Sequence, residues 1–255
     1  MKNIYLNIYK SNKTNLYKAK KNIENNNIIG IPTETVYGLA GNAYSNQSVK
    51  KIFTLKKRPT YNPLIIHYKN IKNLKKDAVL NNTFIKLYKA FCPGPITFIL
   101  KKNSGSKISY RATAKKDTIA VRFPKHAVTR KLLGLLKVPL AAPSANISSR
   151  LSPTSSYDVV DEFKNKIKFI LDGGRSRIGL ESTIVDLTKN PKILRPGFIT
   201  EEKISNILKR KIKIVGKTKK IKSPGQLKSH YSPGIPVKIN AIGFGKNEAI
   251  IGFGK

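Results

Sequence analysis

The chain of 255 residues has no tryptophan and only one cysteine and one methionine. A single cysteine, Cys92, excludes an intrachain disulfide and any cysteine-built zinc or iron–sulfur centre. Beside Phe91 it reads as a small core residue. The three histidines, His67, His126 and His230, fall in no HExxH or paired spacing, so no zinc site is expected. Ser144 and Ser182 lack the GxSxG surroundings of a hydrolase nucleophile. Long apolar runs are also missing. The longest uncharged one, Pro95 to Leu100, is far too short to cross a bilayer. The start, MKNIYLNIYK, carries no extended apolar segment and no small-residue cleavage site, so neither a signal peptide nor a membrane partner is expected, and the location is read as cytoplasmic.

Acidic residues are scarce as well: 13 Asp and Glu stand against 50 Lys and Arg, a net charge of +37. That imbalance favours polyanions, and weak RNA binding that fades as salt rises is expected. The bases are mostly lysine, however, in a chain also rich in Asn and Ile. All three have A/T-rich codons, so compositional drift is the favoured reading of most of the surface charge, with selection for a polyanionic partner the alternative. The few arginines are the better functional candidates. The length and a hydrophobic content of 40% suit one sizeable core, or one domain with an appendage.

The organising stretch is Ile28 to His67. The apolar run Ile28–Ile31 reads as a buried strand ended by Pro32. A polar turn, Thr33-Glu34-Thr35, follows. Val49, Ile52, Phe53 and Leu55 share one helical face, with Ser45 or Asn46 as N-cap. Lys56-Lys57-Arg58-Pro59 ends that helix, and Pro63 to His67 is the next strand. Further strands are expected at 95–102, 118–123, 138–142, 167–171 and 182–187. Helices are expected at 70–78, 82–91, 125–136, 154–163 and Glu201 to Arg210, the last capped by Thr200. This alternation predicts an α/β fold with a mixed sheet. Residues 1 to 27 are polar with weak helical periodicity near Leu16 to Ile23. Lys209 to Lys222 reads as a strand leading into an exposed linker.

Several polar groups terminate these elements, where loops line clefts. Lys56, Arg58, Arg122 and Arg195 facing one pocket would match a triphosphate. Arg58 is held by the rigid turn Pro59 to Pro63. Arg122 interrupts an apolar run, and with acids so scarce its anionic partner is expected to be a ligand. Ala141 to Asn146 offers small residues for close approach, with Ser144 and Asn146 as hydrogen-bonding groups or as simple turn caps. Thr35 and His67 could take the carboxylate and hydroxyl of an amino acid, and Ser182 and Thr183 could bind ligand or cap a strand.

PTETVYGL, KKRPTYNPLIIH, PGPITFIL, AVRFP, AAPSAN and ESTIVD, in that order across about 160 residues, resemble the YrdC-type threonylcarbamoyl-AMP synthases. The resemblance implies a twisted mixed sheet with flanking helices around a basic concave cleft. It also implies synthesis of L-threonylcarbamoyladenylate and pyrophosphate from L-threonine, bicarbonate and ATP, the product passing to a transferase complex that modifies adenosine 37 of tRNAs. By analogy Thr35, His67, Arg122, Ala142 and Ser182 hold threonine. Lys56, Arg58, Asn62, Thr118, Ser144, Asn146, Ser152, Arg195 and Tyr231 hold ATP, with Lys56 and Arg58 the catalytic pair. Mg2+ is expected with the nucleotide, held mainly by phosphates and water. SPGQLKSHYSPG resembles the linker of the two-domain members and is read as a lid carrying Tyr231. The domain reading is therefore a catalytic domain over 1–212, a basic linker over 213–236, and the vestigial start of a Rossmann-like domain over 237–255. A non-catalytic double-stranded RNA or tRNA binding module is the competing reading. The hydrogenase-maturation carbamoyl-adenylate enzymes, a third, carry zinc-finger cysteines absent here.

Overall fold

The apolar run at Ile29–Ile31 forms β2, buried along its length. The periodic segment after it forms α2 (Asn46–Leu55), whose N-cap Ser45 accepts a hydrogen bond from the Ser48 amide. The computed structural model describes residues 5–215, 236–241, 243 and 245–252. Its first helix is α1 (Lys13–Glu24), preceded by β1 (Ile8–Lys10); β3 (Gly38–Asn42) lies between β2 and α2. Next come β4 (Ile65–His67), α3 (Ile71–Leu74), α4 (Asn82–Phe91), β5 (Ile96–Lys101), β6 (Thr118–Arg122), α5 (Ala127–Leu135) and β7 (Leu140–Ala141). The remainder is α6 (Ser156–Phe163), β8 (Ile170–Asp172), β9 (Thr183–Asp186), β10 (Lys192–Arg195), α7 (Glu201–Leu208) and β11 (Lys213–Ile214).

Among the described residues these strands form one mixed sheet in the order β1-β8-β2-β3-β7-β4-β6-β5-β9-β10-β11. On one face, Leu16, Ala19 and Ile23 of α1 and Leu132 and Leu133 of α5 pack on Ile29, Ile31 and Leu171. On the other, Val49 and Ile52 of α2, Phe84 and Leu87 of α4 and Val159 and Val160 of α6 cover Ile66, Phe98, Val121 and Val185. Side chains alternate along each strand, so Ile65, Ala120, Ile99 and Ile184 point back to the first face. They form a third cluster that contains no helical residue. Beyond the cover of α1 and α5, this half of the sheet is where a cleft forms.

The expected mixed α/β architecture is the one observed, and most expected strands and helices appear with shorter ends; the helix expected over 70–78 is the single turn Ile71–Leu74, and the strand expected over 167–171 is Ile170–Asp172. Cys92 packs against the main core as expected, and burial pushes its thiol up to about 12. Three strands, β1, β3 and β10, were not expected. β3 reads GLAGN, where two glycines break the alternation that marks a strand. Gly41 is required by close approach: a Cβ there would lie 2.3 Å from Ser48 Oγ and 3.3 Å from side-chain atoms of Ile28 and Ile52. Ser48 Oγ in turn accepts from the Asn42 amide at 3.0 Å.

Gly41→Ala must displace Ser48 and break that bond. It is expected to destabilise the fold by roughly 1–3 kcal/mol, read as a lower urea midpoint at unchanged slope.

Candidate active site

α2 ends in a turn that aims two cations in different directions. Lys57 adopts the left-handed conformation, φ +49°. The Arg58 amide donates to Phe53 O at 3.0 Å and the Lys57 amide to Thr54 O at 3.1 Å. This is the paired bonding of a Schellman cap, with lysine where glycine is usual. Lys56, 1% exposed, donates through Nζ to the backbone oxygens of Ser144 and Asn146. The Ser148 amide donates back to Lys56 O at 2.9 Å. Lys56 therefore pins the Ala141–Asn146 loop to the end of α2. Burial, then the charge of Arg58, lowers its pKa to about 7. Arg58 donates through Nε to Asn62 O (2.9 Å) and through Nη2 to Asn62 Oδ1 (2.7 Å) and Pro63 O (2.8 Å). Nη1 is left without a partner among the described residues. Burial lowers the Arg58 pKa to about 10, a value that still keeps the cation.

A second group lies along the strand ends. β4 and β6 run parallel with His67 opposite Arg122, and Thr97 of β5 faces Arg122 from the other side. Thr97 Oγ1 and Ser182 Oγ are 2.8 Å apart. On β10 the pairing with β9 shifts register between Ile193 and Arg195. That bulge places Arg195 opposite Ile184, on the cleft face, where regular alternation would turn it away.

The expectation that a ligand supplies the anion for Arg122 is corrected here. Arg122 Nη2 donates to Glu34 Oε1 at 2.8 Å and to Thr35 Oγ1 at 2.8 Å. Glu34 Oε2 accepts from the Lys125 and His126 amides at the start of α5. Burial tends to raise the Glu34 pKa, but the charge of Arg122 and these hydrogen bonds outweigh it and hold it below the usual range. Arg195 is likewise paired, with Glu181, and donates to Ser182 O through Nε (3.1 Å) and Nη2 (2.9 Å). The chain spends two of its few acids on these two arginines.

One cleft brings most of these groups together. With its open mouth it holds about 680 Å³ and is lined by Lys56, Arg58, Asn62, His67, Arg122, Ala142, Ser144, Asn146, Ser182 and Arg195. All ten are among the expected site residues. Thr35 lies behind the wall, bonded to Arg122. Ser152 is one bond away, donating to Glu181 Oε1 at 3.0 Å. Thr118 opens β6 opposite Lys101, at the end of the strand away from Arg122, and does not line the cleft. Tyr231 and the linker 223–234 lie outside the described residues.

The sequence reading missed Glu34, Glu181, Ser148 and Ser149. Glu181 is the one carboxylate lining the cleft among the described residues. Ser149 holds a left-handed φ of +75°, beside Ser148, whose buried Oγ has no partner. Arg122 Nε and His67 Nδ1 are also buried without partners. Unsatisfied buried polar atoms along one wall are what a polar ligand would satisfy. Among the described residues no group of three His, Cys, Asp or Glu could hold a metal, and no helix is long and apolar enough to cross a membrane.

Residues 21–197 match the Sua5/YciO/YrdC family model, described as "Telomere recombination", and residues 199–248 match the model of the threonylcarbamoyl-AMP synthase C-terminal domain. The chain belongs to the Sua5/YciO/YrdC family. It is 43% identical to the threonylcarbamoyl-AMP synthase of Pyrococcus abyssi, over 84% of this chain and 64% of that protein. It is 37% identical to that of Bacillus subtilis, over 90% of this chain and 67% of the relative. The chain thus spans about two thirds of the length of these relatives. The crystal structure of P. abyssi Sua5 complexed with L-threonine superposes with a TM-score of 0.84 at 39% identity, covering 88% of this chain and 68% of that one.

His67, 2% exposed, has a pKa lowered to about 3, first by burial and then by the charge of Arg122. Between the ordinary histidine value near 6.5 and about 3, the unfolded chain binds a proton that the folded chain does not. Stability therefore falls as pH falls through that window, by at most about 1.4 kcal/mol per pH unit from this group. His67→Gln is expected to flatten the decline between pH 6.5 and 5, above the range where Glu34 protonates. Urea unfolding at a series of pH values measures it.

Proposed function

We propose that this protein is an L-threonylcarbamoyladenylate synthase, a nucleotidyltransferase that joins L-threonine, bicarbonate and ATP and releases pyrophosphate. The observation that carries the reading is one cleft lined by four cations at one end of the sheet. Three partnerless polar atoms stand beside them, in a chain closely similar to a synthase whose structure was solved with L-threonine.

The site divides in a way that fits the reaction. His67, Arg122, Ala142 and Ser182, backed by Thr35, form the amino-acid end. The orphaned Nδ1 and Nε there suit a carboxylate and a hydroxyl. Lys56, Arg58, Asn62, Ser144, Asn146 and Arg195 form the polyphosphate end, with Ser152 behind it. The threonine amine first attacks the bicarbonate carbon, a C–O bond breaks, and water leaves to give N-carboxythreonine. Its carboxylate oxygen attacks the α-phosphorus of ATP, the bond to the bridging oxygen breaks, and pyrophosphate carries away the electron pair. No covalent enzyme intermediate is needed. The chain's task is to align two anions, offset their repulsion and keep water from a labile carbamate. Lys56 and Arg58 stabilise charge on the phosphates. Mg2+, where it enters, arrives on the nucleotide; the single lining carboxylate cannot form a metal cage alone. In this reading the product serves a transferase that threonylcarbamoylates adenosine 37 of tRNA.

Pyrophosphate release from ATP is expected to require both threonine and bicarbonate. Arg58→Ala is expected to lower it by about a hundredfold or more while the protein stays folded by circular dichroism. A folded wild-type protein that releases none, yet binds tRNA in a salt-dependent way, would replace this reading with the RNA-binding one.

A further inference from the structure

Three cations, Lys56, Arg58 and Arg195, crowd the polyphosphate end of the cleft; Lys56 and Arg195 are buried and Arg58 is half-buried, so their charge is costly. A cluster of this kind is stable in the absence of ligand only if something compensates it. Among the described residues one carboxylate lines the cleft, that of Glu181.

Its placement is fixed on both sides. One oxygen accepts from Ser152 Oγ at 3.0 Å; the other pairs with Arg195 Nη1. Arg195 uses its remaining edge on Ser182 O and on Ser182 Oγ at 3.2 Å, and Ser182 Oγ meets Thr97 Oγ1. Gly197 presses the chain after β10 against the same segment: a Cβ there would lie 2.6 Å from the Thr183 amide nitrogen and 2.7 Å from Glu181 O. Glycine is therefore required where the chain after β10 meets the segment carrying Glu181. The link Ser152–Glu181–Arg195–Ser182–Thr97 runs from the polyphosphate end to the amino-acid end.

We propose that Glu181 is a positioning and charge-setting residue for this site: it holds Arg195 against Ser182 and compensates the neighbouring cations until a polyphosphate takes its place. The inference rests on the nucleotide reading of the site given above. Lys56 and Glu181 line the same cleft, and the carboxylate's charge favours the ammonium form of Lys56. The charged groups around Lys56 are Arg58 from its own turn, Glu181 from the loop before β9 and Glu162 from α6; Arg58 in turn faces Glu181 and Arg195. Arg58 opposes the ammonium form of Lys56, and the two acids favour it, Glu181 more strongly than Glu162. Glu162 is already engaged, accepting from the Ile147 amide at 2.7 Å and from Arg150 at 3.4 Å.

Removing the Glu181 charge lowers the Lys56 pKa further, so the ammonium form disappears at lower pH. In Glu181→Gln, a 15N NMR titration of the Lys56 amine in ligand-free protein is expected to show a midpoint lower by about half a unit or more, with Glu181→Asp returning it toward the wild-type value. ATP affinity, measured by calorimetry from pH 6 to 8.5, is expected to be similar in wild type and Glu181→Gln at pH 6 and about threefold weaker in the variant above both midpoints. Unchanged Lys56 midpoints, or an affinity loss of the same factor at every pH, would overturn the proposal, the latter marking a packing defect. A wild-type protein that binds no ATP at any pH would overturn the nucleotide reading alone, and the titration of Lys56 would still decide the role of Glu181.

Discussion

Burying cations in a protein with few acids is the constraint on which the rest of the site depends. Lys56, Arg122 and Arg195 are buried and Arg58 is half-buried, all at one end of a sheet. Leaving such groups uncompensated would be strongly destabilising. The chain answers differently for each. Arg122 has Glu34, Arg195 has Glu181, Lys56 has three oxygens of the Ser144–Asn146 loop, and Arg58 has the Asn62 side chain and two backbone oxygens of its own turn. Carbonyl dipoles solvate Lys56 and Arg58 without neutralising them. The polyphosphate end therefore keeps an excess of positive charge that the amino-acid end does not.

Each compensating contact also does structural work. Glu34 bonds the first amides of α5 while holding Arg122, so the same carboxylate fixes a helix and an arginine. Lys56 ties the β7 loop to α2 while its head group lines the cleft. The Ile178 and Gly179 amides donate to Glu34 O and Thr35 O, joining the loop before β9 to the turn after β2. Cleft and fold thus share their hydrogen bonds. The site is preformed because the same contacts hold the loops that build it.

The sequence made the core elements legible through periodicity. Ile52 and Phe53 marked α2, Thr200 with Glu201 and Glu202 marked α7, and the strand ending at His67 was visible from its apolar run. The motif resemblance, supported by the family match, put ten of the expected residues into one cleft. What stayed hidden was set by long-range geometry. β3 could not be seen because Gly41 is dictated by Ser48, which is contacted only after α2 packs. The left-handed Lys57 broke no rule that a sequence displays, since glycine is the usual signal for that turn. The orientation of Arg195 depends on a bulge against β9, and no local pattern announces a bulge. The partners of the arginines were missed for a simpler reason. Scarcity of acids was read as absence of acids from the site, whereas Glu34 and Glu181, both inside the recognised motifs, are concentrated there.

That concentration separates two kinds of charge in one basic chain. Lysines on the outer faces of the helices are exposed and solvated. Salt screens their effect within about 10 Å at ordinary ionic strength. The cleft cations are different: they are individually bonded, and two of them, Arg122 and Arg195, are paired with carboxylates. A drifting composition can add lysine to a solvated surface at little cost. It cannot assemble Glu34 with Arg122 and Glu181 with Arg195 in one cleft wall, because each pair requires both members in place before either is tolerable. The ion pairs, more than the net charge, are therefore the physical mark of a retained anion-handling site.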